Sequence, residues 1–206
     1  MKALIALQNM LIAVSVLFLI AFPVLSLFVD FGFEFKEPFY AASFTALAFV
    51  MLVRPLADIF SGQLWLRKLI FLRKGFGILS ASIIIGFMIA SVIAPESAYR
   101  ASFFTADFWS LDDYVFFAHV GDISGLILLI TSNRLSQKLL KQNWKRVQRL
   151  SYVYFYAGGI YHAFALGSMP ALYIVLLVTN LTILAWAIKF DRRMSAASMS
   201  EAGKTA

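Results

Sequence analysis

Residues 75–94 read GFGILSASIIIGFMIASVIA and contain no charged side chain. A helix of this length rises about 30 Å, the thickness of the hydrocarbon core of a bilayer. Further apolar stretches lie on both sides of it, at about 4–29, 40–59, 114–131, 147–166 and 170–188. The sequence therefore predicts an all-α polytopic membrane protein, a bundle of six transmembrane helices.

The composition of the whole chain supports this fold class. Of 206 residues, 61% are hydrophobic and only 14% are charged, whereas about 25% charged residues is usual in soluble domains. Six spans use nearly the whole length, so we predict one transmembrane domain at 1–193 and a disordered cytoplasmic tail at 194–206. The first apolar stretch is too long for the core of a signal peptide and is predicted to be the first span.

Basic residues are concentrated in alternate connections. Lys2, the segments 54–74 and 132–149, and the residues after 188 contain all Lys and Arg residues except Lys36 and Arg100. The positive-inside rule then predicts that both termini and these two segments face the cytoplasm. Because the basic residues flank apolar spans, anionic lipid headgroups are their expected counter-charge, and nucleic acid is not an expected partner despite the net charge of +7.

The predicted outer connections are acidic and aromatic. This composition fits two interpretations, an aromatic belt at the membrane interface or a docking surface for an external partner. The residues concerned are Asp30, Glu34, Glu37, Glu96, Phe103, Phe104, Asp107, Phe108, Trp109, Asp112 and Asp113.

Two histidines, His119 and His162, are the candidate cofactor ligands. Both lie inside predicted spans, at a similar depth below the outer surface, and polar residues at such depth are functional candidates. Two imidazoles that face each other could ligate the iron of one b-type haem. Asp122 lies one helical turn after His119 and could accept a hydrogen bond from its imidazole. The alternative is that His119 and Asp122 form a buried polar pair without any metal.

Other chemistry finds no support in the sequence. The chain has no cysteine, which excludes disulfides, Cys-ligated clusters and covalent haem attachment. No phosphate-binding loop or hydrolase motif occurs, and we predict no catalytic residue. No flavin or nicotinamide domain is evident, so any reductant must be another chain or a quinone.

Four stretches resemble the ferric reductase-like transmembrane domain family, and within it the haem-binding membrane subunits of bacterial methionine sulfoxide reduction. They are TALAFVMLVRPLAD (45–58), LRKGFGIL (72–79), LLITSN (128–133) and NWKRVQRLSYVY (143–154). The resemblance covers about 40–165. It implies a six-helix bundle in the bacterial cytoplasmic membrane that carries electrons through b-type haem held by histidines.

The family's haem-ligand positions are altered in this chain. Phe87 stands where the resemblance implies a histidine on the third span, and Gln148 stands before the RLxY motif of the fifth. The distal histidine of the fifth span aligns with Tyr161, one position before His162. Phenylalanine cannot bind iron, so a two-haem relay is not expected.

Two functions remain open from the sequence. The first is an electron-transfer subunit of the ferric reductase-like type with at most one haem, held near the outer face by His119 and His162 and serving a redox partner protein or quinone. The second is a haem-free relative that acts as a membrane anchor or scaffold, or that binds lipid or quinone. In either case, catalysis would belong to another chain.

Overall fold

The computed structural model describes residues 1–29, 36–95, 98–110, 115–165 and 170–202, without the side chains of 36, 98, 163, 165, 170–172 and 192–202. All regular structure in these ranges is helical, which confirms the predicted all-α class. Two 3-10 turns, Ile70–Leu72 and Asp107–Trp109, accompany the α-helices. The α-helices are α1 (Lys2–Leu25), α2 (Lys36–Ile59), α3 (Leu64–Leu69), α4 (Arg73–Ile93), α5 (Ala98–Phe103), α6 (Val115–Thr131), α7 (Arg134–Leu140), α8 (Gln142–Val147), α9 (Leu150–Ala165) and α10 (Pro170–Ala202).

Each of the six predicted apolar segments is an α-helix, namely α1, α2, α4, α6, α9 and α10. The last of these continues to Ala202, past the predicted domain boundary at 193. Its extension, RRMSAASMSEA, is rich in residues with good helix propensity, which explains why the helix continues beyond the apolar part. The disorder predicted for 194–206 in solution stays a prediction. Among the predicted outer residues, Asp30, Glu34, Glu96, Asp112 and Asp113 lie outside the described ranges.

Several helices have the length and apolar character needed to cross a bilayer. Within the described residues there are four such segments, Lys2–Leu25, Glu37–Ile59, Leu64–Ile93 and Tyr173–Asp191. A fifth exists if α6 and α7, which meet at a bend of 95°, count as one broken span. α9 has 16 residues and is shorter than the roughly 20 that a span typically uses. These are the helices of an integral membrane protein.

α4 is the central helix, because α1, α2 and α6 all pack against it. α1 and α4 approach so closely that a Cβ on Gly86 would overlap the carbonyl oxygen of Phe18. α6 packs on α9 through Gly121, whose added Cβ would lie 3.6 Å from the backbone nitrogen of Gly158. Small residues at helix interfaces are typical of bundles in membranes, since they let the backbones approach.

Hydrogen bonds add polar links between the helices. Ser43 of α2, Ser80 of α4 and Tyr154 of α9 form a buried network: the Ser43 Oγ lies 3.0 Å from the Ser80 Oγ and 3.2 Å from the Tyr154 hydroxyl. α10 is attached to the end of α2, where the Trp186 indole donates to a carboxylate oxygen of Asp58 at 3.0 Å. Lys189 also donates to the carbonyl oxygen of Ile59. The buried network therefore links three helices, α2, α4 and α9, and α10 is joined to the end of α2.

Candidate functional site

A small cavity lined by both apolar and polar side chains lies where α2, α4, α6 and α9 meet. Its volume is about 30 Å³, which is room for a few water molecules. Apolar residues such as Phe44, Leu47 and Ile84 form one part of the wall. No Lys or Arg lines it, and its polar side chains belong to Tyr40, Ser43, Asp122, Tyr154, Tyr161 and His162.

His162 lines this cavity and is almost fully buried, with 5% of its surface exposed. Its ring packs edge-on against two aromatic rings of α2, with centroid distances of 5.1 Å to Tyr40 and 5.7 Å to Phe44. Asp122 lines the same cavity from α6. The structure therefore brings together two of the three predicted site residues, Asp122 and His162.

His119 has different neighbours. Its ring lies against Phe108 and Trp109, with centroid distances of 4.7 and 4.8 Å. Its Nε2 lies 2.5 Å from the carbonyl oxygen of Phe108, and since a carbonyl only accepts, Nε2 must donate. A protonated Nε2 has no lone pair for a metal, which leaves Nδ1 as the only ring atom of His119 that could ligate one. His119 does not line the cavity of His162, and it anchors the preceding connection, through Phe108, to α6.

Aromatic rings surround Phe87, at which the resemblance implies a histidine. Phe87 contacts Phe22 and Phe39, with centroids 6.4 and 6.0 Å away. It also contacts Tyr40 at 5.9 Å, and Tyr40 in turn contacts Tyr161 at 6.1 Å. One tyrosine ring thus bridges the two positions at which the resemblance implies haem ligands.

The residues of this site do not fit a bis-histidine haem. A porphyrin macrocycle is larger than the cavity, the ring of Tyr40 contacts both Phe87 and His162, and the Nε2 of His119 is engaged by Phe108. In the described part of the chain, no three His, Asp or Glu residues are grouped so that they could hold a metal ion. We derive no electron-transfer step through haem from this geometry.

Gln148, the other position at which the resemblance implies a histidine, lies just before α9, at the end of the helix opposite to His162. Its side-chain nitrogen is 3.5 Å from the Thr131 hydroxyl at the end of α6. The nearby Trp144 indole donates to the Thr131 carbonyl at 3.1 Å. Both side chains connect the α8–α9 corner to α6, which is a structural role.

Tyr99 of α5 lies close enough to the cavity to respond to its carboxylate. Burial raises the pKa of the Tyr99 phenol, and the negative charge of Asp122 raises that pKa further. The short helix α5 therefore lies near the Asp122 side of the cavity.

Sequence reasoning missed the most important side chains of the site, Tyr40 and the Ser43, Ser80 and Tyr154 network. Serines in apolar spans are common and gave no specific signal. A tyrosine at the start of a span is typical of an interfacial anchor. Only the packing of α2 against α4 and α9 shows that Tyr40 points into the bundle.

Comparison of the chain with known protein families, with curated proteins and with solved structures finds no match. The resemblance to the ferric reductase-like family therefore stays a prediction from the quoted motifs.

Proposed function

We propose that this chain is a haem-free membrane subunit with ferric reductase-like organisation that acts as an anchor or scaffold for a partner protein. The observation that carries this proposal is the position of Tyr40, which contacts both Phe87 and His162. Tyr40 packs into the space in which the resemblance implies a haem, so this space favours side-chain packing over a cofactor. Electron transfer through a single b-type haem is the competing hypothesis.

The proposal includes six spans with both termini in the cytoplasm of a bacterial cell. Four spans follow from length and hydropathy. α6 and α9 supply the other two in this proposal, although they have only 17 and 16 residues, or about 25 Å of helix. Their direct contact through Gly121 and Gly158 and the basic segment that joins them support an antiparallel pair of crossing helices.

The outer connection offers a surface for the partner. Phe104 is 75% exposed and Trp109 is 44% exposed. The Trp109 indole donates to the carbonyl of Phe103 at 2.9 Å, and the His119 Nε2 donates to the carbonyl of Phe108. A fixed and exposed aromatic patch of this kind favours contact with another protein.

Binding of a lipid or quinone ring in the cavity is the other possibility that the sequence left open. A cavity of about 30 Å³ admits water but not a quinone ring unless Tyr40 or Tyr161 moves. The scaffold function needs no such movement.

Isolation of the tagged full chain from its native membrane in mild detergent tests the scaffold function. We expect a stoichiometric complex that Phe104→Ala weakens and that Phe60→Ala leaves intact, since Phe60 is a comparably exposed aromatic residue outside the patch. A chain that purifies alone would refute the scaffold function.

The absence of cysteine makes the topology directly measurable. Single cysteines at Gly62, Thr105 and Asn143 place one thiol in each of three connections. Six spans with cytoplasmic ends require that a membrane-impermeant thiol reagent labels intact cells only at Thr105→Cys. Labelling at Gly62→Cys or Asn143→Cys would show a different topology.

A further inference from the structure

The chain turns sharply after α6. α7 lies at 95° to α6, and the side chain of Asn133 caps α7 by accepting a hydrogen bond from the Ser136 amide at 2.8 Å. Lys141 has a φ of 46° and separates α7 from α8. The Trp144 indole then bonds back to the Thr131 carbonyl at 3.1 Å. If α6 crosses the bilayer, α7 lies parallel to its surface. We name the segment 134–149, which contains α7 and α8, the membrane corner.

The membrane corner presents apolar side chains outward. Leu135 and Leu139 are 66% and 72% exposed. They are four residues apart, so both project from the same face of α7. A helix that lies in the plane of a membrane inserts such a face at the boundary between headgroups and acyl chains.

The same corner carries a dense positive charge. Its basic side chains are all exposed, and the sequence contains no Asp or Glu between Asp122 and Asp191. The corner and the two helices that it connects, α6 and α9, therefore carry no carboxylate after Asp122. The charge consequently faces outward uncompensated by this part of the chain. The basic residues are Arg134, Lys138, Lys141, Lys145, Arg146 and Arg149.

We propose that the membrane corner binds anionic phospholipid headgroups, with Leu135 and Leu139 inserted beside them. The positive charge favours an anionic partner, and the exposed leucines favour a bilayer over a soluble polyanion. Because Trp144 ties the corner to the end of α6, lipid bound there fixes the depth of α6 and α9 in the membrane. This inference goes beyond the scaffold function and requires only that α6 crosses the bilayer.

Retention of lipid by the purified full chain tests the charge component. The probe is a mixed membrane of phosphatidylcholine with about 30% phosphatidylglycerol, an anionic surface of the type that attracts basic segments. After extraction, native mass spectrometry counts the two lipids that remain bound. We expect enrichment of phosphatidylglycerol over phosphatidylcholine, and a reduction of that enrichment by roughly tenfold in Lys138→Gln/Lys145→Gln. The control Lys2→Gln/Arg100→Gln removes the same charge from exposed positions outside the corner and should retain the enrichment.

A thiol label tests the insertion of the leucines. Leu139→Cys and Lys138→Cys each create the single cysteine of the chain. In the same mixed vesicles, a fluorophore at 139 should be protected from an aqueous quencher, and one at 138 should not. Equal quenching at the two positions, or equal lipid enrichment in the corner variant and its control, would overturn the proposal. Comparable binding of a soluble oligonucleotide in neutral detergent would also overturn it, in favour of a nucleic-acid surface.

Discussion

The ring of Tyr40 lies 5.1 Å from the ring of His162 and 5.9 Å from that of Phe87. This one side chain connects α2 to both α4 and α9 at the depth where the resemblance implies a haem. A bundle that held haem there would need that space empty. The Tyr40 contacts are thus the observation on which we propose a haem-free scaffold.

The close approach of α1 and α4 predicts that Gly86→Ala is destabilising. The added Cβ would overlap the carbonyl oxygen of Phe18, and backbone cannot move aside as a flexible side chain can. Overpacking of this kind costs about 1–3 kcal/mol, so the apparent Tm in detergent should fall by about 3–8 °C. Gly62→Ala is the matched control, because nothing lies within 4 Å of the added Cβ. Equal melting temperatures for the two variants would contradict this packing.

The buried hydroxyl network predicts a small but measurable effect of Tyr154→Phe. The substitution removes the hydroxyl that contacts Ser43 and Ser80 at 3.2 and 3.3 Å. The two serines keep their mutual contact, so we expect a loss of about 0.5–1.5 kcal/mol in the free energy of unfolding. Tyr152→Phe is the control, since the Tyr152 side chain is 45% exposed near the start of α9 and the loss of its hydroxyl should matter less. The prediction fails if Tyr152→Phe is the more damaging change.

The attachment of α10 to α2 predicts a change in proteolysis. Trp186→Phe removes the indole donor to Asp58 and should loosen the neighbouring Lys189, which donates to the Ile59 carbonyl. Trypsin should then cut after Lys189 several-fold faster than in the unmodified chain, as read by mass spectrometry. Trp65→Phe, which removes an exposed indole bonded to Gln63, should leave that cleavage rate unchanged. An unchanged rate in both variants would show that the Trp186 contact does not hold α10.

The separate environments of the two histidines predict distinct effects. His119→Phe keeps an aromatic ring but removes the donor to the Phe108 carbonyl. Amide hydrogen exchange in 98–110 should become several-fold faster. His162→Phe alters the inner cavity and should leave exchange in that segment unchanged. Equal acceleration by both substitutions would indicate that the two rings share one environment.

The helical segments could be predicted from the sequence because each depends on a local property. An uncharged run such as 75–94 must form a helix in a bilayer, where every backbone polar group needs a partner. Charge alternation likewise gives a topology that can be tested. The length of α10 could not be inferred from hydropathy, since its last part, 192–202, is helical without being apolar.

The site was less predictable because it depends on contacts between distant parts of the chain. Polarity at membrane depth drew attention to His162 and Asp122, and the structure places both in the lining of one cavity. It could not show that His119 bonds to a carbonyl eleven residues earlier in an irregular connection. Nor could it show that Tyr40 turns inward, since tyrosine at the start of a span has two equally ordinary orientations.

The reduced-minus-oxidised absorbance spectrum of the full chain, purified from haem-replete cells, tests the central claim most directly. The contacts of Tyr40 and His119 predict a colourless protein without a b-type difference band. They also predict that adding haem to the purified protein produces no such band. A stoichiometric b-type band that is lost in His162→Ala would contradict the haem-free scaffold and establish the chain as an electron-transfer subunit.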